Sequence, residues 1–134
     1  MDAFLNRHMK RLNDEGEGPA RDDLRRRFLQ AMRAARQIFG KDAFRKQFDA
    51  NDRRKPINKA LFETWSVAFG NLDAASLEKL VSRSESVKSA IITLLNEDQD
   101  FEAAITQGTG GVKRVKKRFS TIENIILQTL KDAS

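Results

Sequence analysis

The chain has no cysteine and no tyrosine, a single histidine and only two prolines in 134 residues. Without cysteine there is no disulfide, no thiolate zinc site and no cysteine nucleophile, and the composition fits a reducing compartment. One histidine, His8, leaves little for histidine-based metal binding or proton transfer, and it reads as a surface or internally satisfied residue. No apolar run approaches the ~20 residues that a membrane-spanning helix needs, and the first fifteen residues, MDAFLNRHMKRLNDE, have no hydrophobic signal region. The expectation is a soluble, cytoplasmic protein with no membrane contact. β-Branched runs are short, so strands have little to build on.

What is present is charge and helical periodicity. The formal net charge is +6, but its distribution says more than its total. Residues 1–55 hold fifteen Lys/Arg against nine Asp/Glu, residues 56–109 hold four against eight, and residues 110–134 hold six against two. Basic ends flank an acidic, apolar middle. That asymmetry suits a negatively charged partner, nucleic acid first, with an acidic protein surface as the alternative.

The fold class expected is all-α. A length of 134 residues suits one domain, 1–134, with a real core. A short helix over 3–12 and a flexible break at NDEGEGP make up an N-terminal part, 1–20, ahead of a helical core over 21–134. A long helix over 22–39 carries Leu24, Phe28, Ala31, Met32, Ala35 and Ile38 on one stripe and stops at Gly40. Another short helix is expected over 41–48. The central helix begins at Pro56 and ends before Gly70, and it is apolar nearly all round, with Phe62 and Val67 widening the stripe of Ile57, Leu61, Trp65 and Phe69. Asp73, Ser84 and Asp98 read as N-caps of three further helices. A last helix over 112–131 buries Val115, Phe119, Ile122, Ile126 and Leu130. About seven or eight helices, several of them short, predict an irregular bundle.

The start of the last helix is the strongest functional candidate. Lys113, Arg114, Lys116, Lys117 and Arg118 spread across the side opposite Val115, Phe119 and Ile122, behind the turn Thr109, Gly110, Gly111. A helix N-terminus offers unpaired N–H groups and the positive end of its dipole, so a phosphate at this turn meets both. Alternatively, the face is a solvated surface behind a glycine stop and a Thr109 cap. If it lies outside the core, exchanging Lys113, Lys117 and Arg118 together for Gln leaves stability nearly unchanged. A second basic cluster, Arg53, Arg54 and Lys55, sits in a loop with Asp49 and Asp52 as local partners. A third, Arg25, Arg26, Arg27, Arg33 and Arg36, is read mainly as solvated or ion-paired with Asp22 and Asp23.

The remaining motifs are weak. GTGG lacks the preceding strand and the Lys-Ser/Thr pair of a P-loop. Glu97, Asp98, Asp100 and Glu102 crowd one helix start, where the dipole alone favours acids, so no catalytic or metal site is assigned and no cofactor is expected. Glu63, on the central helix, needs a cation from Lys59 or from another helix.

The stretch over residues 44–72, FRKQFDANDRRKPINKALFETWSVAFGNL, with the later GTGG turn and VKRVKKRF, resembles the C-terminal helical region of the GmrSD-type modification-dependent restriction endonucleases. The resemblance runs over about residues 5–130. It implies a place in a bacterial restriction or phage-defence protein. In that family the activity belongs to an N-terminal ParB-nuclease-like region with an Asp-Gly-Gln-Gln-Arg type motif, which this sequence does not contain, so no catalytic residue carries over. The chain is then either a part of such a protein or a free-standing short relative. The function expected is a non-catalytic module contacting nucleic-acid phosphates, DNA above all. The alternative is a structural domain that docks a ParB-like catalytic domain or another partner protein without touching nucleic acid.

Overall fold

The computed structural model describes residues 18–49 and 51–131. They form α1 (Gly18–Phe39), a 3-10 turn (Gly40–Asp42), α2 (Lys59–Gly70), α3 (Ala74–Ser82), α4 (Ser84–Glu97), α5 (Gln99–Thr106) and α6 (Val112–Lys131). The all-α expectation is met, with six α-helices among the described residues instead of seven or eight. The expected helix over 3–12, and His8 with it, lies outside the described residues.

Helix α1 begins four residues earlier than the sequence suggests, at Gly18 instead of Asp22, so Gly18 and Pro19 open a helix and do not belong to a flexible break. Proline is tolerated there because the first-turn N–H has no intrahelical acceptor. The far end behaves as read: Gly40 takes φ +61°, a left-handed conformation that stops the helix without a Cβ penalty.

No helix forms over 41–48. After the 3-10 turn, Phe44 adopts φ 64°, which a continuing α-helix does not allow. Its carbonyl instead accepts the N–H of Asn58 at 2.7 Å, and Arg45 and Ile57 form an isolated antiparallel bridge. Residues 44–58 are therefore a loop closed at its base. Phe44 is buried there with its ring against Phe62, the centroids 4.9 Å apart.

That closure moves the start of the central helix. Pro56 and Ile57 belong to the base of the loop, and α2 starts at Lys59 with Asn58 as its cap, the side-chain oxygen accepting the Leu61 N–H at 2.9 Å. Ala60, Leu61, Phe62, Thr64, Trp65 and Phe69 are buried. Val67, however, is 48 % exposed, so α2 is covered on most sides and not all. Trp65 stacks on Phe69 at 4.9 Å and meets Phe39 of α1 at 5.2 Å, which centres the core on the α1–α2 contact.

Gly70 closes that contact. It is the last residue of α2 and not the stop beyond it, and a Cβ built there would stand 3.4 Å from the Arg27 carbonyl oxygen of α1. A side chain there would be in ordinary contact with α1, and Gln30 of α1 ties the two helices by donating to the Phe69 and Leu72 carbonyls at 3.1 and 2.9 Å. The inward stripe of α1 runs through Ala31, Ala34, Ala35 and Ile38, while Leu24, expected on it, is 47 % exposed.

Two of the three expected caps hold. Asp73 accepts the Ser76 N–H at 2.7 Å and Asp98 accepts that of Phe101 at 3.0 Å. Ser84 does not cap: it is the first residue of α4, and its hydroxyl donates to the Val81 carbonyl at 2.6 Å. The α3–α4 corner is held to the end of α6 by Arg83, whose guanidinium donates to the Thr129 carbonyl at 2.7 Å. No helix among the described residues is long and apolar enough to cross a membrane.

Candidate nucleic-acid interface

Helix α5 has eight residues, and its last turn leaves carbonyls that no helical N–H reaches. Three neighbours supply donors. Asn58, at the start of α2, gives its side-chain N–H to the Ile105 carbonyl at 2.8 Å. Arg114 donates to the Gln107 carbonyl and, at 2.9 Å, to that of Ala103, which also takes the Gln107 N–H. Arg118 donates to the Ala104 carbonyl at 3.3 Å and to that of Thr109 at 2.5 Å. Two cationic side chains thus lie at the negative end of a helix dipole, where positive charge is favoured.

This arrangement corrects the reading of the α6 basic face. Arg118 is only 4 % exposed and belongs to the buried face with Ile122, Ile125, Ile126 and Thr129. Its Nη2 also lies 3.9 Å from Glu63, which identifies the cation that Glu63 meets on another helix, over a distance too long for a hydrogen bond. Arg114 is half-buried over α5. Lys117 donates to Asp98 at 2.9 Å. Of the five candidates on α6, Lys113 and Lys116 alone are exposed and, among the described residues, have no carboxylate partner. Exchanging Lys113, Lys117 and Arg118 together is therefore not neutral for stability, because Arg118 holds α5 and the turn from inside.

The turn itself is open. Gly110 and Gly111 are exposed, and Gly108 carries the positive φ, +53°. Thr109 is not the cap of α6, since the helix begins at Val112 and the first helical N–H, that of Val115, bonds to the Gly111 carbonyl at 3.0 Å. Thr109 instead offers its carbonyl to Arg118.

In the loop cluster the same division appears. Lys55 is held by Asp52 at 2.9 Å and lies over the Phe48 ring, 5.5 Å from its centroid, while the Asp52 carboxylate also accepts the Phe48 N–H at 2.8 Å. Arg53 and Arg54 are exposed, with no carboxylate partner among the described residues. Because Asn58 and Arg114 dock on the same turn of α5, the loop leading into α2 and the start of α6 flank one end of the molecule. The structure leaves Arg53, Arg54, Lys113 and Lys116 exposed, and takes Lys55, Arg114, Lys117 and Arg118 into local or internal contacts.

The acidic cluster at the start of α5 is occupied structurally. Asp98 is both cap and ion pair, and its carboxyl is held below the ordinary carboxylate range first by the bond from Lys117 and then by the Phe101 N–H. Glu102 is lowered by the Thr106 hydroxyl and then by Lys46, whose ammonium reaches Glu102 at 3.2 Å and Thr106 at 2.5 Å. Lys46 drew no notice in the sequence, because a lone lysine in a loop carries no sign of a partner 56 residues away. No group of three or more His, Asp or Glu residues suited to a metal ion occurs among the described residues.

A pH dependence follows from these lowered carboxyls. A folded pKa below the unfolded value of about 4 contributes stability in full above that value and loses it as pH falls through the lower folded one. Unfolding free energy measured with urea should therefore be level near neutrality and fall below about pH 4. Asp98→Asn, which gives up the Lys117 pairing, should reduce that acid decline; an unchanged acid limb would show that the pairing contributes nothing.

No protein-family model, curated protein or solved structure matches the chain.

Proposed function

We propose that this chain is a non-catalytic helical module that holds the phosphate backbone of nucleic acid, DNA above all, through Arg53, Arg54, Lys113 and Lys116. One observation carries the reading. While neighbouring cations are spent on carbonyls and carboxylates of the fold, these four are exposed and lack acidic partners among the described residues. Cations of this kind position a protein on phosphates and read no base sequence. The resemblance of residues 44–72 to the GmrSD-type C-terminal region supplies a context, in which the module steadies a restriction-type protein on its substrate beside a ParB-like catalytic domain.

The test is fluorescence anisotropy with labelled duplexes of unrelated sequence at several salt concentrations. The parent should bind modestly, with log affinity falling against log salt at about 0.9 per phosphate neutralised. Joint exchange of Arg53, Arg54, Lys113 and Lys116 for Gln should weaken all duplexes alike and flatten the slope by up to ~3.6. The melting temperature should hardly move, since surface exchanges usually shift stability by about ±0.5 kcal/mol. No binding at low salt, or unaltered binding by the variant, defeats the proposal.

The inward use of Arg114, Lys117 and Arg118 favours a second reading, a structural domain that docks a catalytic domain or partner protein without nucleic acid. Tight association with a separately produced ParB-like region, together with no DNA binding, would establish it in place of the first.

A further inference from the structure

Helix α1 lies against α3 over a smaller contact than against α2, and a groove of about 710 Å³ opens between them. Its floor is apolar, from the buried Ala34 of α1 and Leu77 of α3, with the partly covered Val81 alongside. Leu29 stands on its rim and is 39 % exposed. Arg33, four residues after Leu29, lines the α1 wall, and Glu78 lines the α3 wall. Both are exposed. Neither makes an ion pair among the described residues, and although they share one groove they do not bridge it to each other.

We infer that this groove is the contact between two copies of the chain, related by a twofold axis that sets Arg33 of each copy against Glu78 of the other. The reasoning is one of charge complementarity. A partner segment of one sign would satisfy one wall and be repelled by the opposite wall. A twofold contact uses the same patch on both copies, so that residue i meets residue j and j meets i. A patch with an apolar centre, an unpaired cation on one side and an unpaired anion on the other meets that condition in itself. Both walls gain their counter-charge, and the two Leu29 side chains leave water together.

Sedimentation equilibrium of the full chain over a range from low micromolar to several hundred micromolar tests this directly and needs no ligand. The parent should move from its monomer mass of 15.2 kDa towards twice that value as concentration rises. Arg33→Glu alone, and Glu78→Arg alone, should each remain monomeric where the parent pairs, because both crossings then join like charges. An equimolar mixture of the two variants should pair again, since each crossing in the mixed dimer joins opposite charges. Both side chains are exposed, so the variants should keep the parent's circular dichroism, and recovery in the mixture would itself show that each is folded. A parent that stays monomeric throughout overturns the inference and leaves the groove to a different partner. Single variants that pair like the parent, or a mixture that stays monomeric, overturn it equally. The readout is mass, so its outcome is independent of whether Arg53, Arg54, Lys113 and Lys116 bind DNA.

Discussion

Trp65→Ala should destabilise the protein by about 3–5 kcal/mol, the range for removing a large buried aromatic. A small domain has roughly 5–15 kcal/mol in total, so the variant should be marginal or unfolded at physiological temperature. The size of the effect follows from position. Trp65 is 2 % exposed and touches both Phe39 of α1 and Phe69 of its own helix, so truncation opens a cavity where the two longest-packed helices meet. Trp65→Phe keeps a ring in place and should cost distinctly less. Urea unfolding followed by circular dichroism is the measurement, since the substitution removes the chain's sole tryptophan. A midpoint for Trp65→Ala close to that of the parent would mean that the α1–α2 packing described above is wrong.

The second large effect belongs to Arg118. Arg118→Ala should cost about 2–4 kcal/mol, combining lost packing with the orphaning of the Ala104 and Thr109 carbonyls. Arg118→Lys keeps the charge and one donor at a time but not the planar fork, and should lose roughly half as much. Glu63→Gln should change little, because Glu63 is half exposed and 3.9 Å from the guanidinium. Lys116→Ala, two residues away on the solvent side, should stay within about ±0.5 kcal/mol. Equal stability of the Arg118→Ala and Lys116→Ala proteins would return Arg118 to the surface.

These two residues mark what was legible in the sequence and what was not. Trp65 was legible because it lies at the centre of an apolar helix face; at the edges of such faces Leu24 and Val67 are exposed and Val115, Phe119 and Leu130 are only partly covered. The bounds of α6, the caps Asp73 and Asp98 and the stop at Gly40 were legible for a similar reason, since each depends on chemistry within a few residues. Arg118 was misplaced although its spacing held a signal. Positions 118, 122, 125, 126 and 129 follow one helical face, and all five are buried. Five cations in the six positions 113–118 mask that spacing with charge. The long-range features had no local signature at all. Nothing near Phe44 shows that Asn58 will bond to its carbonyl and prevent a helix over 41–48, and nothing near Lys46 points to Glu102. Tertiary contacts consequently take Arg114 and Arg118 inward and pair Lys117 with Asp98, none of which the run of charge indicates.

The loop over 44–58 has a consequence for engineering the chain. Its base is fixed by the Asn58–Phe44 hydrogen bond and the Arg45–Ile57 bridge, so the ends are already held together before the tip is considered. Each doubling of a flexible loop's length adds only about 0.6 kcal/mol of closure entropy. A peptide tag or a reporter grafted between Asp49 and Arg53 gives up the bond from the Phe48 N–H to Asp52, but with the base held it should leave the helices around the loop intact, and would give a handle without use of either terminus.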